Sequence, residues 1–152
     1  MKYRFGTSSR LVLSVAVIGF ALSAWASEPQ SPCSNATLRG GYSFSISGKA
    51  QTPQGVVEIN GVALTRFDGE GNLVNTDHVV RNGTLPPVEW RPGTGTYLVH
   101  ENCTGELHII NESSPPLDLY FVIAEHGLEI QGVVSDPGAN ISANGLKVHP
   151  QL

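Results

Sequence analysis

The chain has 152 residues, 9 Lys and Arg against 13 Asp and Glu, a net charge of −4 and 40% apolar residues. That length suits one ordinary domain. The acidic balance excludes a nucleic-acid partner, whose phosphates need a basic patch, and attraction to anionic membranes.

The first element is a leader. Lys2, Arg4 and Arg10 precede an uncharged apolar run, Leu11 to Leu22, and Ala24-Trp25-Ala26 supplies a small-x-small cleavage pattern. This is the anatomy of a secretory signal peptide, too short for a spanning helix of about 20 apolar residues. Cleavage after Ala26 removes three of the nine basic residues and none of the thirteen acidic ones, so six minus thirteen leaves −7 on 126 residues (152 minus 26). Residues 27–37 read as an N-terminal arm and 38–152 as one β-domain. Cys33 and Cys103 are the two cysteines. In an oxidising compartment they are expected to pair, closing a loop of about 70 residues. Gln30-Ser31-Pro32 lacks the small and apolar residues of a lipobox before Cys33, which argues against a lipid anchor.

Along the domain, Leu38, Tyr42, Phe44 and Ile46 alternate with Ser43, Ser45 and Ser47, predicting a strand over 38–48 with one apolar face. Gln51 to Gly55 is a loop. In Val56 to Phe67 the apolar parity slips across Asn60-Gly61, which reads as a bulge in one continuous strand, with a hairpin turn as the alternative. Phe67-Asp68-Gly69-Glu70-Gly71-Asn72-Leu73 is a hairpin turn. Strands follow at 73–80, 95–100, 106–110, 117–124, 128–134 and 140–148, separated by Asn-, Gly- and Pro-rich turns. Helix-period apolar patterns are missing outside the leader. Seven or eight short strands joined mostly by tight turns predict an all-β, antiparallel, meandering barrel, with a β-sandwich as the alternative.

Several strings support this layout. Cys33-Ser34-Asn35-Ala36-Thr37-Leu38-Arg39-Gly40-Gly41-Tyr42, Phe67 to Asn72, Gly95-Thr96-Tyr97, Asn102-Cys103-Thr104-Gly105, Phe121-Val122-Ile123 and Gly127-Leu128-Glu129-Ile130 stand in order along the domain. Together they resemble a family of small secreted bacterial proteins. That family is similar to the eight-stranded, calycin-like barrels of the allene oxide cyclase and dirigent type. The resemblance implies a single barrel, a place in the periplasm or the medium, and trimers like those of similar barrels. It carries no catalytic residue onto this sequence, because function does not follow from fold.

Candidate chemistry is sparse. Asp68, Glu70 and Asn72 superficially resemble a calcium loop, but the further ligands at fixed spacing are missing and the hairpin reading is preferred. His100 and His108 would share a hairpin face if His100 pairs with Glu106, yet zinc needs three or four convergent ligands, and a solvated face is preferred; no metal or cofactor is expected. Asp77 and His78 are neighbours on a strand, so only one can point inward. An inward one would need a partner or a wet cavity and would mark a ligand pocket, although a place near the rim is preferred. Asp77, His78 and Glu129 are thus the candidate ligand-binding residues. No serine sits in a nucleophile elbow. Strand 117–124 is apolar on both faces, and its outer face suggests contact with another copy. The reading that follows is a secreted, non-enzymatic barrel that binds a small apolar ligand or a surface. A barrel-type isomerase or cyclase and a self-associating structural module are the alternatives.

Overall fold

Alternation of inward and outward side chains builds every strand of this protein. A computed structural model describes residues 32–111 and 114–148; the leader read at 1–26 lies outside the described residues. The strands are β1 (Arg39–Thr52), β2 (Gly55–Asp68), β3 (Asn72–Arg81), β4 (Arg91–Val99), β5 (Thr104–Asn111), β6 (Leu117–Ala124), β7 (Glu129–Val134) and β8 (Ala139–Lys147). Each pairs antiparallel with the next, and β8 returns to β1, closing an eight-stranded barrel. Along β1, Tyr42 and Phe44 are buried inside whereas Ser43 and Ser45 face out. No helix among the described residues is long and apolar enough to cross a membrane.

One end of the barrel is plugged. Leu38, Tyr42, Phe67 and Ile130 are its most deeply buried side chains. The Phe67 ring meets Tyr42 and Tyr97 edge-on, at centroid distances of 5.3 and 4.9 Å, a favoured aromatic geometry. The phenol of Tyr42 donates to the Gly127 carbonyl, and that of Tyr97 lies 3.1 Å from the carbonyls of both Asn35 and Leu38. Burial, and secondarily Tyr97, push the Tyr42 hydroxyl up to about 12. The arm itself forms a 3-10 turn, Asn35–Thr37, under these rings. Asn35 Oδ1 accepts from the Val99 amide, and Cys33 is bridged to Cys103 with Cα atoms 5.0 Å apart. Inward glycines make room for the aromatics: a Cβ on Gly105 would overlap the Phe121 ring, and one on Gly145 the Phe44 ring.

The Asn60-Gly61 bulge is not formed. The β1–β2 and β2–β3 registers run unbroken through Ser47↔Asn60 and Asn60↔Val80. Val57, Ile59, Ala63 and Phe67 share the inward face, while Val62 and Leu64 point outward and are exposed. The apparent slip in parity came from apolar side chains on the outer face. Strand β1 also runs on to Thr52, because a turn at Pro53-Gln54 lets Thr52 pair with Gly55. Strand β4 begins at Arg91, earlier than expected, since Pro92 and Gly93 hide its strand signal. On the outer face of β6, Tyr120 and Val122 are exposed, with Val133 of β7 directly across from Tyr120.

The hairpin at Asp68 is held by one carboxylate. Asp68 Oδ1 accepts from the amides of Glu70, Gly71 and Asn72, and Oδ2 from the Asn72 side chain. These bonds, the Asn72 side chain foremost, hold the carboxyl down at about 2, below its ordinary 3.8. A depressed folded-state value means that the contribution is complete above the unfolded value and is lost as pH falls through the folded one. The Asp68 carboxyl should therefore titrate near 2 by NMR. In Asp68→Ala the amides of residues 70–72 should exchange faster at neutral pH, while the wild-type hairpin stays protected at pH 4. Reduction of the bridge is expected to cost roughly 4 kcal/mol in the chain-entropy account. Urea denaturation of the oxidised protein and of Cys33→Ala/Cys103→Ala measures that difference, and equal midpoints would deny it.

Candidate functional site

The end opposite the plug is open. In an up-and-down barrel, alternate connections gather at the same end. Here these are the β1–β2 turn, the β3–β4 loop, the β5–β6 connection and the β7–β8 turn. Between them a cavity of about 280 Å³ opens into the barrel. Its mouth is formed by Gln51, Arg81, Pro115, Pro116, Asp136 and Pro137. Its deeper lining includes Phe44, Ala63, Leu107, Leu119 and Ala143, beyond which lie the ring of Tyr42 and the plug.

The two sides of the cavity differ. From β6, β7, β8 and β1 come Leu117, Leu119, Val134, Ile141, Ala143, Phe44 and Ile46, all apolar. From β2 to β5, among apolar neighbours, come Thr65, Asn75, Asp77, Arg91 and Asn111, each almost completely buried. Register explains their grouping: Thr65 lies across from Asn75, Asp77 from Arg91, and Gly93 from Asn111. Each step crosses one strand, so the polar side chains form a continuous diagonal.

The bonds along that diagonal are specific. Arg91 Nε and Nη2 donate to Asp77 Oδ1 and Oδ2 at 2.8 and 2.9 Å. This is the bidentate geometry in which arginine binds carboxylates most strongly. Both side chains are over nine-tenths buried. Thr65 Oγ1 donates to Asn75 Oδ1 at 2.8 Å. Asn111 Oδ1 is buried with no hydrogen-bond partner, and it rests over Gly93, where a Cβ would collide with it.

Of the three sequence candidates, only Asp77 reaches the cavity. It stands inside the barrel and below the rim, 6% exposed. His78 faces outward, its Nδ1 against the Glu89 carbonyl and its ring beside Trp90. Glu129 lies outside next to Gln131, from which it accepts a hydrogen bond. The β4–β5 register sets Leu98 across from Glu106 and Thr96 across from His108, two residues away from the pairing expected for His100. His108 instead pairs with Asp118 on the outer surface, an exposed contact of small worth. Among the described residues, no three His, Cys, Asp or Glu side chains come together to hold a metal. Arg91, Thr65, Asn75 and Asn111 were not anticipated. A signal for two of the inward polar positions does exist in the sequence: Leu73, Asn75, Asp77 and Val79 alternate on one face of β3, placing two polar residues inside an apolar stripe.

Compared with protein-family models, with curated proteins and with solved structures, the chain finds no match. The cavity must therefore be interpreted from its own chemistry.

Breaking the buried pair and replacing it differ in cost. Arg91→Ala leaves Asp77 charged and alone, and should destabilise by about 3–5 kcal/mol. The double variant Asp77→Leu/Arg91→Met should lie within about 1 kcal/mol of wild type or above it. Thermal and urea unfolding of the three proteins would decide. A double variant as damaged as the single one would show that the pair stabilises the barrel in its own right.

Proposed function

We propose that this protein is exported, loses residues 1–26, and works outside the cytoplasm as a barrel that binds a small, mainly apolar molecule without transforming it. The cavity carries this reading. Binding sites are concave and largely apolar, with a few fixed polar groups that orient the ligand, and the open end of this barrel has that composition. An apolar cavity of about 150 Å³ accommodates benzene. On that scale, about 280 Å³ suits roughly a dozen non-hydrogen atoms. Export is supported by the leader's sequence and by the cysteine pair, which needs an oxidising compartment.

Binding is favoured over isomerase chemistry by the state of Asp77. Both of its carboxylate oxygens are held by Arg91, so it acts as a counter-ion rather than a base offered to a substrate. Among the described residues, neither a histidine nor a glutamate lines the cavity.

Protein isolated from its source under native conditions should carry an additional mass of roughly 170 Da, for about a dozen non-hydrogen atoms, and an N-terminus at Ser27. Ala143→Phe places a ring in the cavity beside Phe44 and should abolish the retained mass while leaving the circular dichroism of the barrel unchanged. Wild-type protein that carries no extra mass, and that takes up no apolar probe added to it, would refute the binding reading.

A further inference from the structure

The polar side of the cavity specifies which end group its occupant has; this step rests on the cavity being a binding site. Charge comes first. Asp77 and Arg91 neutralise each other within the barrel, and the mouth carries one charge of each sign, Arg81 and Asp136. A carboxylate entering this site would leave a buried negative charge with no counter-ion, and an ammonium group would leave a positive one. Either is strongly disfavoured in a site screened from water.

Hydrogen-bonding capacity comes second. A guanidinium has five N–H donors. Asp77 takes two of them, and the other three have no partner among the described residues. Asn75 accepts from Thr65 through Oδ1, leaving both N–H groups of its amide as donors. Asn111 lines the same cavity with no bond to its Oδ1, so no bond to that oxygen fixes which way the amide is turned. The polar side therefore offers more donors than acceptors, and a neutral oxygen that accepts hydrogen bonds complements it.

We infer that the occupant is an uncharged carbonyl compound, a medium-chain ketone or ester, with its oxygen directed at Arg91 and Asn75 and its hydrocarbon chain along β6–β8 and β1. The carbonyl oxygen accepts from the guanidinium and the amide without adding charge. The alkyl chain meets Leu119, Val134 and Ile141. The group is bound and not altered, so no bond is made or broken.

The test uses three molecules of twelve non-hydrogen atoms each: 2-undecanone, decanoate and dodecane. Each is titrated into protein expressed from the full chain, and NMR follows the side-chain amides of Asn75 and Asn111, the Arg91 Nε–H and the methyl groups of Leu119 and Ile141. The ketone should saturate with shifts at both the polar groups and the methyls, and should bind at least tenfold more tightly than either of the others. In Asp77→Leu/Arg91→Met, the ketone should lose its advantage over dodecane while dodecane still moves the methyls. Should that variant not fold, the wild-type series decides alone. Decanoate binding as tightly as the ketone, or dodecane matching it, would overturn the inference about the end group while leaving the cavity a binding site. If none of the three moves the methyl signals, both the inference and the binding reading fall.

Discussion

Closure of the sheet between β1 and β8 is the constraint on which the rest of this structure depends. An eight-stranded barrel has a bore just wide enough for side chains to fill or for one small ligand to occupy. Which of these happens is decided by side-chain volume at each level. At the plugged end, Tyr42, Phe67, Tyr97 and Phe121 all point inward, and glycines such as Gly105 give way to them. Above the plug, the inward positions hold Ala63, Thr65, Asn75, Ile141 and Ala143, and the bore stays open. One closed sheet thus has a solid half and a hollow half.

The arm makes that asymmetry permanent. Leu38, fully buried beneath the aromatic rings, completes the plug. The bridge to Cys103, the bond from Val99 to Asn35 and the Tyr97 phenol hold the arm in place. The buried ion pair has a different role. It supplies little net stability, since the cost of desolvating two charges offsets their attraction. What it supplies is a fixed orientation: a rigid guanidinium presented from one side of the cavity, aligned by its own counter-ion.

Much of this architecture can be read from period-two alternation, because half-buried strands must alternate. The all-β class, the meander and the closed barrel all follow from it, and the cysteine pairing was expected from an even count of two in an anticipated oxidising compartment. The alternation misleads where its assumption fails. Val62 and Leu64 are apolar yet face out, which imitates a bulge at Asn60-Gly61. Arg91 was missed because Pro92 and Gly93 conceal the start of β4. The cavity itself was beyond reach for a further reason: hollowness depends on residues from eight strands meeting at one level, and no local pattern records that level. Only Asn75 and Asp77, polar positions in the inward row of β3, hint at it.

The seam between β1 and β8 also orders events in time. Ser43 meets Leu146 across it, 103 residues apart, so the first strand has no partner on that side until the last has been made. Non-local pairing of this kind is slow to form, because the loop entropy is spent before the contacts repay it. Neighbouring strands can pair hairpin by hairpin as they emerge, but the sheet becomes a vessel only when β8 reaches β1.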